Sequence, residues 1–393
     1  MTSGNPDNRD SAHSDPPSAL LVKNIGELAT VNPRIGQVEK YDHVSMEIID
    51  GTVAGLFSGE SVPFTGDYDA IIDAGGRLVT PGFVDPSTWL ARSDTLQQLS
   101  AKKIQNYVGQ FLRHGTTTVE MKIEVSLETE QTINAFSLLA DSSDDNEIES
   151  VPTVYLTPGL QDNEESPGGK YLRELCENIL PAIAEENVAE YCDLRYGTSG
   201  FPASDAEILI NSAIDSGLNL RLETDGADAD KATELAATYG AHSVTLIEEI
   251  SEEGVANLDK ADIVPIILPG VNLVRKDSSP IDIRKMVDIG LPVAVGSGYY
   301  FANVSTGNMQ SVLNLSTTLY NLSIEEALQA ATYHAAGALN REDAKGCLTP
   351  GYDADFILWE KKQLDDLAME FGMNLLAGTF IGGNPMWQNQ DLS

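Results

Sequence analysis

Residue types able to do chemistry are sparse in this chain. Its five histidines are His13, His43, His114, His242 and His334, and none belongs to an H-x-H or H-E-x-x-H pair. Zinc chemistry needs three or four donors converging with one position left open, so the histidines supply no local metal motif. Cys176, Cys192 and Cys347 match no zinc or redox spacing and read as small apolar residues of a reduced compartment. The chain has no G-x-S-x-G elbow, no G-x-G-x-x-G loop and no G-K-[ST] loop after a strand. What remains is Glu223 and Asp225, two apart at the end of the run RLETD, and Lys122 at the end of TTVEMK. The two carboxylates could bind a hard cation or act as acid and base. In the alternative reading Lys122 and Glu223 form a structural ion pair, since a buried charge demands a partner.

These residues must be positioned by the middle of the chain, where apolar strand-like runs alternate with helical patterns. The runs are Leu78–Val84, Thr117–Lys122, Val151–Leu156, Leu218–Glu223, Ser243–Ile247, Ile263–Leu268 and Leu291–Val295. Helices are expected over Thr95–Leu112, Ser204–Ser216, Lys231–Tyr239, Ile281–Ile289 and Ile324–Leu339. Ser323 and Glu326 have the spacing of a capping box at the start of the last. Such alternation marks a parallel sheet, and the number of units favours a closed (β/α)8 TIM barrel over an open doubly wound sheet. Both chain ends read instead as β-structure, with Asp50-Gly51 as a turn and LLAGTFIGGN as a hairpin. The expected division is an acidic disordered tail over 1–18, a small β-sandwich from 19–79 and 345–393, and the barrel over 80–344. Function in a barrel gathers at its C-terminal mouth. There Thr88, Trp89, Tyr299 and Tyr300 are expected to line a pocket with Lys122, Glu223 and Asp225, and Phe301 would extend an aromatic wall for a small molecule.

The chain has 393 residues, of which 24 are Lys or Arg and 60 are Asp or Glu, for a formal charge of −36. Such a field repels nucleic acid and anionic lipid, so neither is an expected partner. Acidic residues run almost throughout, which suggests a solvated acidic shell of a halophilic, high-salt cytoplasm where self-repulsion is screened, the alternative being a merely acidic protein in ordinary salt. The N-terminus has no apolar signal-like core, and no apolar run is long enough to span a membrane. A cytoplasmic location is the expectation.

The segment LVTPGFVDPSTWL, Leu78 to Leu90, resembles the amidohydrolase superfamily, whose pattern runs V-x-P-G-x-V-D-x-H-x-H. SALLVKNIGELATV near the start, HGTTTVEMK at 114–122, VPIILPG at 264–270 and GYDADFILW at 351–359 follow in the order of one branch, imidazolonepropionase. The resemblance implies a metal-dependent barrel of amidohydrolase type beside a small β-sandwich built from both chain ends. It also implies hydrolytic opening of an imidazolone ring by a water activated on zinc or iron. The implied ligands are two histidines after strand one, a third after strand five and an aspartate after strand eight.

This chain departs from the pattern at each of those positions. Ser87 and Trp89 stand where the H-x-H histidines would be, Glu223 where the strand-five histidine would be, and Gly298 where the aspartate would be. Gly226 replaces the catalytic glutamate, Leu246 the histidine after strand six, and Pro158 a substrate-binding histidine, while Val125 falls near an expected tyrosine. No metal site and no cofactor are therefore expected, with zinc or iron only if the site has been rebuilt. The reading that follows is a metal-free, catalytically inactive pseudoenzyme with a regulatory or scaffolding role. A homodimer, or association with a related protein, is what the resemblance implies. The alternatives are a divergent hydrolase of carbon–nitrogen bonds in a small cyclic substrate, using Lys122, Glu223 and Asp225, and a small-molecule-binding module.

Overall fold

The computed structural model describes residues 18–59, 67–144, 148–158, 169–225, 228–275, 281–300 and 306–389. The expected tail over 1–18 lies outside them except for Ser18, as do Gly226 and Phe301.

The first sheet begins with β1 (Ala19–Asn32), β2 (Gln37–Ile49) and β3 (Thr52–Ser58), an antiparallel meander. Asp50 and Gly51 join the last two at φ 48° and 75°. That is the left-handed pair a two-residue hairpin turn requires, and Asp-Gly adopts it readily. β4 (Ala70–Asp73) and β5 (Leu78–Pro81) then run parallel to β1 on its other side.

The chain next builds a second, nine-stranded sheet of parallel strands. They are β6 (Phe83–Asp85), β7 (Trp89–Ala91), β8 (Thr116–Glu124), β9 (Glu149–Leu156), β10 (Tyr191–Gly197), β11 (Asn219–Asp225), β12 (Ser243–Leu246), β13 (Val264–Ile267) and β14 (Ala294–Val295). β6 and β7 are two pieces of one edge, both paired with β8. The circle closes through a few backbone contacts: Thr88 bridges Tyr299, Gly298 N donates to Ser87 O at 3.1 Å, and Trp89 N donates to Tyr299 O at 3.1 Å. The result is the expected (β/α)8 barrel.

Finally β15 (Phe356–Trp359) returns to pair antiparallel with β5, followed by the hairpin of β16 (Leu376–Ile381) and β17 (Asn384–Gln388). The first sheet is thus assembled from both chain ends. It encloses its own core, in which Val44 and Met46 from one end share a cluster with Phe356 and Phe380 from the other.

Helices not expected occur, among them Thr129–Asp144, Glu252–Lys260 and Met309–Tyr320, and the five expected ones form, two of them altered. The first begins at Ala101 rather than Thr95, because Ser100 is its cap, accepting from Lys103 N at 3.4 Å, and Leu96–Gln98 forms a separate short turn. The expected Ile324–Leu339 helix breaks at Thr332 (φ −128°, ψ −85°) into Ile324–Ala331 and Tyr333–Ala338. Gly346 packs so tightly there that a Cβ on it would lie 2.7 Å from Tyr333 N, so a neighbouring segment sets the break. Ser323 and Glu326 form both halves of the capping box. The second piece lays Ala335, Ala336 and Leu339 across the N-terminal end of the barrel, against Tyr191 and Val264.

Candidate functional site

Side chains alternate along each strand. In β8, Val119, Met121 and Ile123 join the outer helix-packed core, while Glu120 and Lys122 point into the barrel. In β10 and β11, Leu194 and Leu222 go outward while Asp193, Arg221 and Glu223 go inward. Five charged side chains therefore meet in the barrel interior: Glu120, Lys122, Asp193 and Glu223 have no exposure, and Arg221 has 1%.

Lys122 is the hub. Its ammonium lies 2.5 Å from Asp193 Oδ2, 3.7 Å from Glu120 Oε2 and 3.8 Å from Glu223 Oε2. It also donates to Ser87 Oγ at 3.2 Å. The Trp89 ring lies against it, 4.3 Å from ring centre to Nζ, and Tyr155 flanks it at 5.4 Å. Trp89 and Tyr155 meet edge to face at 5.6 Å. A desolvated cation held against two aromatic faces is a favourable arrangement. Burial by itself would push the Lys122 ammonium down, but Asp193, Glu120 and Glu223 together hold it above the ordinary lysine range. Tyr155 donates its hydroxyl to Glu223 Oε1 at 2.7 Å, and Arg195 approaches the same oxygen at 3.6 Å. Burial nevertheless raises the Glu223 carboxyl, against the pull of Lys122 and Arg195.

One layer deeper, Arg221 pairs with Glu120 and donates to Ser243 Oγ and Pro86 O, each at 2.8 Å. Asp85 accepts from Ser297 N at 3.0 Å across the barrel seam, and burial pushes its carboxyl up to about 7.

The remaining expected residues take different places. Thr88 is fully buried; it accepts from Tyr107 Oη at 2.5 Å and donates to Glu120 O. Trp89 is 4% exposed and roofs Lys122. Tyr299 packs on Tyr107 and Phe111 and donates to Gln110 Oε1 at 3.1 Å. Tyr300 is exposed, at φ 69°. Trp89, Tyr299 and Tyr300 line a cavity of about 450 Å³ with Arg92, Lys103 and Gln110. Asp225 ends β11, and its side chain lies outside the described residues. The structure thus brings Lys122 and Glu223 together and places the aromatic cavity on the outer side of Trp89. Reading the sequence missed Glu120, Asp193, Arg221, Asp85 and Tyr155. The available signal was charge at every second position of otherwise apolar runs, as in VEMK, CDLR and LRLE.

The donor set does not fit the zinc or iron that the resemblance implies. Its members are carboxylates with an ammonium already among them, and a divalent ion there would meet like charge at close range. No group of three His, Cys, Asp or Glu side chains able to hold a metal occurs among the described residues. Gly298, where the metal-binding aspartate would be, sits at φ 64°, and a Cβ on it would come 2.7 Å from Val271 Cγ2. A side chain there would require the Val271 side chain to move.

Comparison with known proteins accords with this architecture. The imidazolonepropionase of Caldanaerobacter subterraneus subsp. tengcongensis is 29% identical over 397 residues, covering 90% of this chain and 94% of that one. That of Thermoanaerobacter pseudethanolicus is 28% identical with the same coverage. Among solved structures, guanine deaminase of E. coli superposes with a TM-score of 0.75 at 15% identity, covering 95% of this chain and 99% of that one. Guanine deaminase of C. acetobutylicum gives 0.70 at 15% identity, over 94% of this chain and 100% of that one; at such identity the likeness concerns the fold alone. The family model described as the amidohydrolase family matches residues 180–386, more than half of the sequence, and the chain belongs to the amidohydrolase family.

Proposed function

We propose that this protein is an imidazolonepropionase-like amidohydrolase homologue that binds no catalytic metal and does not hydrolyse the family's substrates. Its role is regulatory or scaffolding, exerted as a homodimer or with a related protein. One observation carries the reading: the Lys122 ammonium lies among Asp193, Glu120 and Glu223, so a lysine supplies in the barrel interior the positive charge that a metal ion supplies in a metallohydrolase. Replacement of the ligand histidines and the crowding of Gly298 by Val271 support the same conclusion.

The test is elemental mass spectrometry on purified protein dialysed against metal-free, high-salt buffer, together with an assay of imidazolone ring opening. The expected result is far less than one zinc, iron or manganese per chain and no turnover above background. Near-stoichiometric metal with ring opening would overturn the proposal.

The alternative of a rebuilt hydrolase needs Lys122, Glu223 and Asp225 to line an open pocket. Lys122 and Glu223 are fully buried, with the Trp89 ring over the ammonium, which speaks against it. The binding-module reading retains a specific support in the cavity of about 450 Å³ outside Trp89, where Tyr299 and Tyr300 provide aromatic surface and Arg92 and Lys103 positive charge. A small acid with a flat ring would suit it.

A further inference from the structure

Asp and Glu make up 60 of the 393 residues, but they are unevenly spread. The three longest stretches without either are 95–119, 289–324 and 371–390. Far apart in sequence, these stretches meet on one side of the molecule. The Ala101–Leu112 helix lies in the first, the Met309–Tyr320 helix in the second, and the chain leading into β16 in the third. Gly307, just before the second helix, lies against the Phe111 ring, where a Cβ on it would be 2.9 Å from Phe111 Cε1. Gln310 donates to Met373 O at 2.6 Å and accepts from Leu375 N at 3.1 Å. Asn374 donates to Arg113 O at 3.1 Å, and Thr379 to Leu112 O at 2.7 Å. Together they open a window of low negative charge in a chain of formal charge −36.

The same window carries the most exposed large apolar side chains among the described residues: Met369 at 84%, Phe371 at 63% and Met373 at 59%. Three such side chains within five residues form a patch, and exposed apolar patches mark contact surfaces. The row is held in place from both sides. Asn314 donates to Leu367 O at 2.7 Å ahead of it, and Gln310 and Asn374 fix its far end. Glu370, the acid within the row, is paired with Lys361. Exposed Arg113 stands at one margin of the patch, and Asp365 and Asp366, in the short Leu364–Met369 turn, stand at the other.

We propose that this window is the contact face between two copies of the chain, related by a two-fold axis near Phe371. The inference rests on the homodimer reading above and supplies its surface; it does not depend on whether the barrel holds a metal. Two copies at −36 each repel wherever their acidic surfaces approach, so self-association is least opposed where acids are missing. An apolar, acid-poor patch fits itself, as an isologous interface must. The two-fold also turns Arg113 of one copy toward the Asp365 and Asp366 margin of the other. A basic partner would be drawn instead to the acidic remainder of the surface.

Light scattering on the full chain at neutral pH in molar potassium chloride, where charge repulsion is screened, tests the assignment. The parent is expected at twice the chain mass. Phe371→Asp/Met373→Asp, which sets four carboxylates into the contact, is expected at the mass of one chain. Ile208→Asp, at an apolar position 50% exposed on another helix of the barrel, is expected to stay dimeric. Melting curves check that the variants are folded. Independently, Phe371→Cys and Met373→Cys chains should crosslink copy to copy under mild oxidation, read as a doubled mass on a non-reducing gel that the parent does not show. A dimer that persists in the folded Phe371→Asp/Met373→Asp variant, or a dimer that crosslinks at neither cysteine, overturns the surface and leaves the homodimer reading standing. A parent that is monomeric in molar salt overturns both, and the apolar row is then the face for a different protein.

Discussion

Replacing Lys122 by methionine removes the ammonium while keeping most of the side-chain volume. In the native barrel, Nζ is 2.5 Å from Asp193, 3.7 Å from Glu120 and 3.8 Å from Glu223. At an effective dielectric of about 20 these separations correspond to about 7, 4 and 4 kcal/mol of gross attraction. Desolvation of four buried ions and repulsion from Arg221 offset most of it. What survives experimentally when one partner of a buried pair is deleted is a loss of about 3–5 kcal/mol, because the remaining charges stay buried and uncompensated. Lys122→Met should therefore lower the denaturant midpoint strongly. Trp89, in contact with the ammonium, reports the change by fluorescence. The loss should also depend on pH. Without the ammonium, the Glu120 and Glu223 carboxyls, already raised by burial, bind protons more tightly folded than unfolded, so the variant is least impaired at mildly acidic pH. Its deficit should grow as pH rises through neutrality. Lys122→Met/Asp193→Asn, which also removes the closest orphaned charge, should recover about 2 kcal/mol at alkaline pH. A Lys122→Met protein as stable as the parent at alkaline pH, or a double variant that recovers nothing, would refute the view that this lysine neutralises the barrel interior.

Further outcomes follow from the same physics. Asp85 is fully buried with its carboxyl pushed up to about 7, so its contribution favours folding at low pH and is progressively lost as pH rises from about 4 to about 7. Asp85→Asn keeps an oxygen acceptor for Ser297 N and should stabilise the protein at pH 8 by up to about 4 kcal/mol, with little effect at pH 4; urea titrations at the two values check this. Ser323→Ala removes the hydroxyl half of an intact capping box and should cost about 1 kcal/mol, read as a lowered denaturant midpoint. The net charge of −36 predicts a melting temperature that rises steeply between low and molar potassium chloride. A flat response would mean that self-repulsion is unimportant.

Much of the architecture was legible in the linear sequence because it rests on local rules. Asp50-Gly51 and Gly382-Gly383 turn hairpins because their residues tolerate positive φ. Ser323 and Glu326 start a helix because they satisfy its first amides. The strand–helix alternation specifies a parallel barrel, and absence of histidine from the expected ligand positions is a fact of composition. The site was only half legible. Lys122 and Glu223 stood out, and their meeting at 3.8 Å was within reach of reasoning. The nearer partner Asp193, the Glu120–Arg221 layer below and the place of Trp89 as a roof were not. Which charge faces which depends on the stagger between neighbouring strands: Asp193 pairs with Arg221 and Arg195 with Glu223 in one ladder, and Trp89 with Lys122 in another. That stagger comes from closing the barrel, a long-range constraint no local window contains. The break at Thr332 has the same origin, where the Gly346 segment, distant along the chain, packs against the backbone of Tyr333. Residue types and local spacing therefore determined the elements and the loss of the family's ligands, while barrel closure alone decided that a lysine should stand among three buried carboxylates.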